Sequence, residues 1–537
     1  MKFRATTCLV LSVAIGSPAA TAQTLQGGPD GLGPEDERGV RARTEAARDG
    51  YTLIAPLRSR ETHLVDGTGE VVHTWTSAFP PGNAAYLLDD GSLLRCCKDA
   101  GDAPFAGGGE GGRLQRTSWD GAVLWDFAMA SPRWRQHHDV EPLANGNVLV
   151  IAWEGVSAEQ AIAAGRDADN VGEGGLWPDA IFELRPVGAE GAEVVWEWHA
   201  WDHLVQDRDP AKPDFGDPAA RPERIDVNFD RADRPKTAEE IEREEAVARR
   251  LRALGYAGGD DEEPERGRDR RGARSDWMHT NSIDHDPQSD LIAISVRSAS
   301  EVWIIDHSTS TEEAKTSKGG RYGRGGDLVY RFGRPASWRG DGEQQLFHQH
   351  DARFVRADEG LHVTVFNNGS GRPGGDRSSA DEFALPFTFD GGFARPADGG
   401  VAAPELVWSW NGGDEALFNG HICGAQRLEG GSTLVCFGED GRVVEVTPDG
   451  AIAWDWWHPF RADPEVGRGG RRSRPGETDR GPRGGPPRDG PPRGGPPRDG
   501  PPREGRGPRR GGPGPMSAYG VFRVTRYEPT HPGLARL

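Results

Sequence analysis

Cysteine is scarce in this chain, with five residues in 537, and one of them, Cys8, falls in the apolar N-terminal run. The remaining Cys96, Cys97, Cys423 and Cys436 are too few to build a disulfide scaffold, and their spacings match no zinc motif. Cys423 and Cys436 flank the Glu429–Ser432 turn, so an oxidising compartment leaves a bond across that hairpin open. The adjacent Cys96 and Cys97 carry no clear signal. Long hydrophobic runs are also missing. No segment reaches the roughly 20 apolar residues that span a bilayer, so no membrane span is expected and the mature chain should be soluble. No GxxxxGK[ST] loop is present to cradle a nucleotide phosphate. Basic charge is outweighed, with 64 Lys and Arg against 84 Asp and Glu and a net charge of −20. That balance argues against a general nucleic-acid binder.

The N-terminus reads as an export signal. Lys2 and Arg4 precede the short apolar run Cys8–Ile15, and Ala20-Thr21-Ala22 offers a small-residue cleavage site. Residues 1–22 are therefore expected to be a cleaved signal peptide, and the mature protein periplasmic or secreted. A disordered apolar start is the alternative.

The strongest signal is an internal repeat. A turn, an apolar pair and an aromatic recur as GEVVHTW (Gly69–Trp75), GAVLWDF (Gly121–Phe127), AEVVWEW (Ala192–Trp198), GDLVYRF (Gly326–Phe332), PELVWSW (Pro404–Trp410) and GAIAWDW (Gly450–Trp456). Each has the β-branched and aromatic content of a short strand entered through a turn. Between copies lies a hairpin phrase, as in LLDDGSLL (Leu87–Leu94), LANGNVLV (Leu143–Val150) and LEGGSTLV (Leu428–Val435). Weaker copies occur around Ile283–Ser295 and Phe354–Phe366. Six such units predict an all-β, six-bladed β-propeller of about four strands per blade. A β-sandwich, or a pair of them, is the competing architecture.

The chain then divides as follows. An N-terminal extension occupies residues 23–47 and the propeller residues 48–463. The closing strand Tyr519–Tyr527, within residues 516–537, is expected to share a blade with Tyr51–Pro56 and so hide two sheet edges. Residues 205–275 form a charged insertion with a helix expected from Thr237 to Leu254, where Thr237 and Glu240 have capping-box spacing. Residues 464–515 are Gly, Pro and Arg in near-pentapeptide repeats, unable to bury a core and expected to be disordered.

Equivalent positions within the repeat carry histidines. His138 and His350 each stand five residues before the end of their first apolar phrase. His279 immediately precedes the first strand of its unit, and His421 is displaced by two residues, an even step that keeps the strand face. The first strand of each blade lines a propeller's axis, so these residues converge at one mouth of it. A histidine at a blade start can instead cap the neighbouring backbone, a bland role that four in successive units make harder to sustain. Asn281 lies two residues after His279, and Arg297 ends the neighbouring strand. An Arg beside several imidazoles suggests an anionic group with multiple oxygens. It also favours the neutral, nucleophilic imidazole. Asp139 and Asp351 are expected to orient rings or pair with backbone, and Asn367 and Asn368 to be turn residues.

These phrases resemble the bacterial arylsulfate sulfotransferase family. The resemblance rests on HHDVEPLANGNVLVIAWE, DWMHTNSIDHDP, SVRSASEVWIIDHSTSTEEA, QHDARF with VFNNG, HICGAQRLEGGSTLVC and the closing FRVTRYEPTHPGLARL. It implies sulfuryl transfer from a phenolic sulfate ester to a phenolic acceptor, both small molecules, by a ping-pong route through a sulfohistidine, with neither cofactor nor metal. His350 would be the nucleophile. His138, His279, Asn281 and Arg297 would hold the sulfuryl oxygens and assist the departing phenol, with His421 an off-register neighbour. The large N-terminal β-sandwich of some members is absent, which leaves the oligomeric state open. Two rivals remain on the residues alone: a metal-dependent propeller hydrolase using three histidines as ligands, and a non-catalytic ligand-binding propeller.

Overall fold

The computed structural model describes residues 38–172, 174–230, 242, 275–358, 360–394, 396, 399–413, 417–463, 466 and 518–537. The expected signal peptide, the Thr237–Leu254 helix apart from Glu242, and nearly all of the Gly/Pro/Arg-rich segment lie outside the described residues. Arg38–Leu537 forms one unit built from six antiparallel sheets, a six-bladed propeller.

Blade 1 orders its strands Val521–Tyr527, Tyr51–Pro56, Glu61–Val65 and Val71–Thr76 from the axis outward. Blade 2 runs Pro81–Leu87, Leu93–Lys98, Gly112–Thr117 and Val123–Ala128, and blade 3 Trp134–Pro142, Val148–Glu154, Asp179–Val187 and Gly191–His199. Blade 4 comprises Thr280–Asp286, Leu291–Val296, Glu301–Asp306 and Tyr330–Phe332, and blade 5 His350–Arg356, Leu361–Asn367, Ser379–Ala384 and Glu405–Trp410. Blade 6 has Gly424–Arg427, Thr433–Phe437, Arg442–Val446 and Ile452–Trp457. The C-terminal strand is thus the innermost of blade 1, paired antiparallel with Tyr51–Pro56 as the sequence suggested. A further strand, Gly39–Arg43, pairs with Ile452–Trp457 on the outer edge of blade 6. The N-terminal segment therefore covers one blade before entering the next, and the ring is closed from both ends of the chain. Within the charged insertion, Leu204–Val205 and Ile225–Asp226 form a short parallel pair. Two short α-helices, Ala158–Ala163 and Thr311–Ala314, decorate the loops.

Period-two alternation explains how the blades cohere. Leu149 and Ile151 face the seam with blade 4, whereas Val148, Val150 and Ala152 of the same strand face blade 2. Likewise Ile292, Ile294 and Val296 pack toward blade 3 and Leu291 and Ala293 toward blade 5. Strands buried on both faces must be apolar throughout, hence runs such as Val148–Trp153. Six separate apolar clusters result, one at each seam.

One aromatic in each repeated phrase, at its fifth or seventh position, has a second task. Its polar tip donates to the last turn of the following blade. The Nε1 of Trp75 reaches the Ser118 carbonyl at 3.2 Å, that of Trp125 reaches Gly191 at 2.8 Å, and that of Trp198 reaches Gly326 at 2.7 Å. Trp410 donates to Gly450 at 3.2 Å and Trp454 to Gly67 at 3.0 Å, completing the circle. The fourth phrase carries Tyr330 instead, whose hydroxyl donates to the Ala402 carbonyl at 2.8 Å. A buried indole N–H needs an acceptor, and one aromatic of each phrase finds it in the neighbouring turn.

The four cysteines are buried and free. The bond left open between Cys423 and Cys436 is not formed. Cys436 stands opposite Gly424, and Cys423, at φ +84°, turns its Sγ toward the His421 carbonyl at 3.2 Å.

Candidate active site

The inner strands deliver their histidines through distorted backbone. Register slips occur between Pro81 and Ala85, Thr280 and Ser282, and His350 and Arg353, each at the start of an inner strand. His138, His279, Asp351 and Ile422 occupy left-handed backbone at φ +51°, +52°, +57° and +51°. A bulge re-aims the side chain beside it, and a non-glycine residue held there costs on the order of 1–3 kcal/mol. Gly109 makes room for one of these rings, since a Cβ there would lie 2.1 Å from His138 Cε1.

The hydrogen bonds behind the imidazoles define their protonation. His350 is fully buried, and its Nδ1 lies 2.7 Å from Asn368 Oδ1. Asn368 Nδ2 donates to the carbonyls of Asn419 and Ile422 at 2.8 and 3.1 Å, which leaves Oδ1 as the atom facing the ring. His350 must therefore donate from Nδ1 and carry its lone pair on Nε2. That Nε2 is buried and finds no partner within the protein. Burial first, then Arg297, His421 and His279, hold the His350 imidazole well below its ordinary value against the pull of the Asn368 hydrogen bond. It is neutral at physiological pH.

His279 has a different backing. Its Nδ1 is 2.5 Å from Asp276 Oδ2, and the other Asp276 oxygen accepts from Trp153 Nε1 at 3.0 Å. Burial would raise the Asp276 carboxyl, but His279, His137 and the indole hold it below the usual range. The Asp276 carboxylate can only accept, so His279 donates from Nδ1 and Nε2 is left as the atom for proton exchange. His138 is backed by a histidine. Its Nδ1 is 2.7 Å from His137 Nδ1, and His137 Nε2 is 3.1 Å from Asp179 Oδ1. With His137 Nε2 donating to that carboxylate, His137 Nδ1 accepts a hydrogen bond from His138 Nδ1, which leaves the His138 lone pair on Nε2. Burial, then His279, His137, His350 and Arg297, push His138 well below its ordinary value.

The structure brings these residues together. The His138 and His279 rings are 4.6 Å apart edge to face, and His138 and His350 both border Phe522, at 6.1 and 6.5 Å. Arg297 acts on the charge of His138, His348 and His350, and its backbone N–H donates to the His279 carbonyl at 3.4 Å. Asn281 Nδ2 donates to the Gln349 carbonyl at 2.8 Å, leaving a buried Oδ1 without a partner. His421 sits at the edge, its Nδ1 3.8 Å from Glu439 Oε1, close enough to bias His348 and His350. Side-chain exposures of 14% for His279 and 10% for His421, against none for His138 and His350, make the first two the outer edge of the cluster.

Three participants were not legible in the sequence. Asn368 holds His350 rather than a turn. Asp276, read only as part of a family phrase, orients His279. His348 joins the cluster with Nδ1 unpartnered and is lowered to about 3 by burial, then by Arg297 and His421. The phrase HQH contained a signal for His348, an even spacing from His350. Asp139 and Asp351 do not orient rings. Their carboxylates tie Arg523 at 2.5 and 3.1 Å and accept the backbone N–H of Ile283 and Ala425 in the next blades at 3.1 and 3.0 Å. Tyr86 and Arg353 complete this charged layer, the hydroxyl of Tyr86 2.9 Å from Asp139 and the Nε of Arg353 2.8 Å from Asp351.

Among solved structures, similar chains include a protein of unknown function from Bacteroides caccae, with 11% identity over 76% of this chain and 93% of that one and a TM-score of 0.37. A periplasmic gluconolactonase from Pseudomonas aeruginosa has 12% identity, 76% and 96% coverage and a TM-score of 0.36. A catalytically inactive virginiamycin B lyase from Staphylococcus aureus has 7% identity, 79% and 90% coverage and a TM-score of 0.32. Likenesses of this size carry no argument. No curated protein matches the sequence. One family model does match, over residues 57–384, a span that holds the two outer strands of blade 1, blades 2 to 4, three strands of blade 5, and His138, His279, Asn281, Arg297 and His350 together. By that match the chain belongs to the family described as Arylsulfotransferase (ASST).

Proposed function

We propose that the protein is an exported enzyme that moves a sulfuryl group from a phenolic sulfate ester to a phenol by a ping-pong route through a sulfohistidine at His350. The observation that carries this reading is the His350 Nε2, neutral, buried, unpartnered and locked in orientation by Asn368. In the first half-reaction that lone pair attacks sulfur and the S–O bond to the aryl group breaks. The leaving phenolate takes the Nε2 proton of His279, whose imidazolium Asp276 stabilises. In the second, the incoming phenol returns its proton to His279 as its oxygen displaces the His350 nitrogen, and the enzyme is restored.

Arg297 supplies fixed positive charge for the sulfuryl oxygens, where charge grows in the transition state. Asn281 Oδ1, without a partner among the described residues, is an acceptor. The Asn281 oxygen suits the hydroxyl of the incoming phenol. Export is supported by the basic start, short apolar run and Ala20-Thr21-Ala22 site. It agrees with a reaction that needs no nucleotide donor.

The test mixes protein with a chromogenic aryl sulfate and a phenol. Phenol release should depend on the acceptor and vanish in His350→Ala, and acid-quenched protein should carry one labile sulfuryl group on His350. Release that ignores the acceptor means a sulfatase instead, and an unaltered His350→Ala refutes the nucleophile.

A further inference from the structure

At the seam between blades 3 and 4, away from the axial histidines, four polar side chains meet that sulfuryl transfer does not use. His285 lies near the end of the inner strand Thr280–Asp286, and Asp290 closes the hairpin turn that follows. His307 directly follows the third strand of blade 4, and Glu183 comes from the third strand of blade 3. Asp290 Oδ1 is 3.0 Å from His285 Nε2 and 2.8 Å from His307 Nδ1. Among the described residues, one ligand atom from each of the three lies within 4.8 Å of the others. The far nitrogen of His307 is 3.2 Å from Glu183 Oε2, and the other Glu183 oxygen accepts from Asn145 and Asn147 at 3.3 and 2.5 Å.

We propose that His285, Asp290 and His307 form a zinc site within blade 4, tied to blade 3 through the contact of His307 with Glu183. Two imidazole nitrogens and a carboxylate oxygen are a donor set that zinc favours. Ligands around a tetrahedral zinc stand about 3.3 Å apart, so the two separations from Asp290 need adjustments of only a few tenths of an ångström, and the two imidazole nitrogens already lie within 4.8 Å of each other. His307 also has the arrangement expected of a metal-bound imidazole, with its second nitrogen held by a carboxylate that is itself anchored by two amides. One ion pair would explain one histidine beside Asp290. It does not explain two imidazoles converging on the same oxygen, one of them braced from behind. Asp290 keeps 31% side-chain exposure while the two histidines keep 11%, so a water completes the shell from the solvent side.

The ligands sit on rigid elements. The Asp290 N–H donates to the Asp286 carbonyl at 2.8 Å, and the His307 N–H to the Asp290 carbonyl at 3.0 Å. His279 begins the strand near whose end His285 lies, about 20 Å away at the rise of an extended chain. The ion is therefore structural, holding in place the strand that carries a catalytic histidine.

The experiment strips the full-length protein with a chelator, adds zinc chloride, desalts, and measures both bound zinc and thermal unfolding. The parent should retain one zinc that raises its melting temperature. His285→Gln and Asp290→Asn, which preserve size and hydrogen bonding, should each lose that equivalent and the shift. Glu183→Gln, which leaves the three ligands, should bind about tenfold more weakly or worse, and His350→Ala should bind as the parent does. Absence of retained zinc overturns the proposal. So does zinc that survives in both seam variants, and so does zinc lost only in His350→Ala, which would place the metal on the axis.

Discussion

Asn368→Asp tests the protonation argument at the centre of the site. In the parent, Asn368 accepts the His350 Nδ1 proton at 2.7 Å and uses its amide hydrogens on two carbonyls. Aspartate is nearly the same shape but sets a negative charge against the ring. A carboxylate at that distance raises an imidazole by about 1–3 pH units, each unit being about 1.4 kcal/mol and a factor of ten in the neutral fraction. Burial and Arg297 hold the parent His350 well below 6.5, so its rate should be flat through neutral pH on this account. The variant should gain an acid limb displaced upward by about 1–3 units, with activity recovering tenfold per unit as pH rises. Asn368→Ala loses the orienting bond without adding charge, and should fall by up to about 100-fold at every pH. The assay is the burst of phenol released from a chromogenic aryl sulfate without acceptor, followed across a pH series. If the Asn368→Asp profile superimposes on the parent's, or Asn368→Ala is fully active, Asn368 does not set the His350 tautomer and the reasoning fails.

Three further outcomes are expected. Asp276→Asn should slow donors with poorly acidic phenols by about 100-fold or more while sparing an activated nitrophenyl ester. An equal fall for both would show that Asp276 does not support proton transfer to the leaving group. Arg523→Met leaves the Asp139 carboxylate buried without its cation and Asp351 with Arg353 alone, which should cost about 3–5 kcal/mol in urea unfolding; an unchanged midpoint would remove the charged layer from the account of stability. Burial holds His63 down to about 4, and His348 and His458 to about 3. Above about 6.5 these rings are neutral in both states and contribute nothing to pH dependence. Below it the unfolded chain takes up protons that the fold refuses, so each ring should subtract up to about 1.4 kcal/mol per pH unit as pH falls. Melting temperatures that stay level from neutral to mildly acidic pH would contradict this.

The blade count was legible because each blade repeats one chemical demand. A turn must accept the aromatic of the preceding blade, and strands between two seams must be apolar on both faces. Hence the phrases from Gly69–Trp75 to Gly450–Trp456 mark the six outer strands, with Tyr330 where the others carry Trp. The axial histidines were legible for a related reason, since equivalent positions in successive units must converge when the units close into a ring. Asn368 was not. Its neighbour Asn367 does brace a loop, donating to the Gln345 carbonyl at 2.9 Å, and nothing in VFNNG separates the two.

By itself, then, the sequence determined the repeat, the all-β ring, the pairing of its two ends and the set of histidines at its axis, because these follow from local periodicity. Tertiary structure alone decided what stands behind each ring. An amide at His350, a carboxylate at His279 and a second histidine at His138 come from positions 18 residues away, three away and adjacent in the chain. Protonation depends on the direction of those contacts, which spacing does not encode. The same holds for the seam between blades 3 and 4, where Glu183 meets His307 across 124 residues.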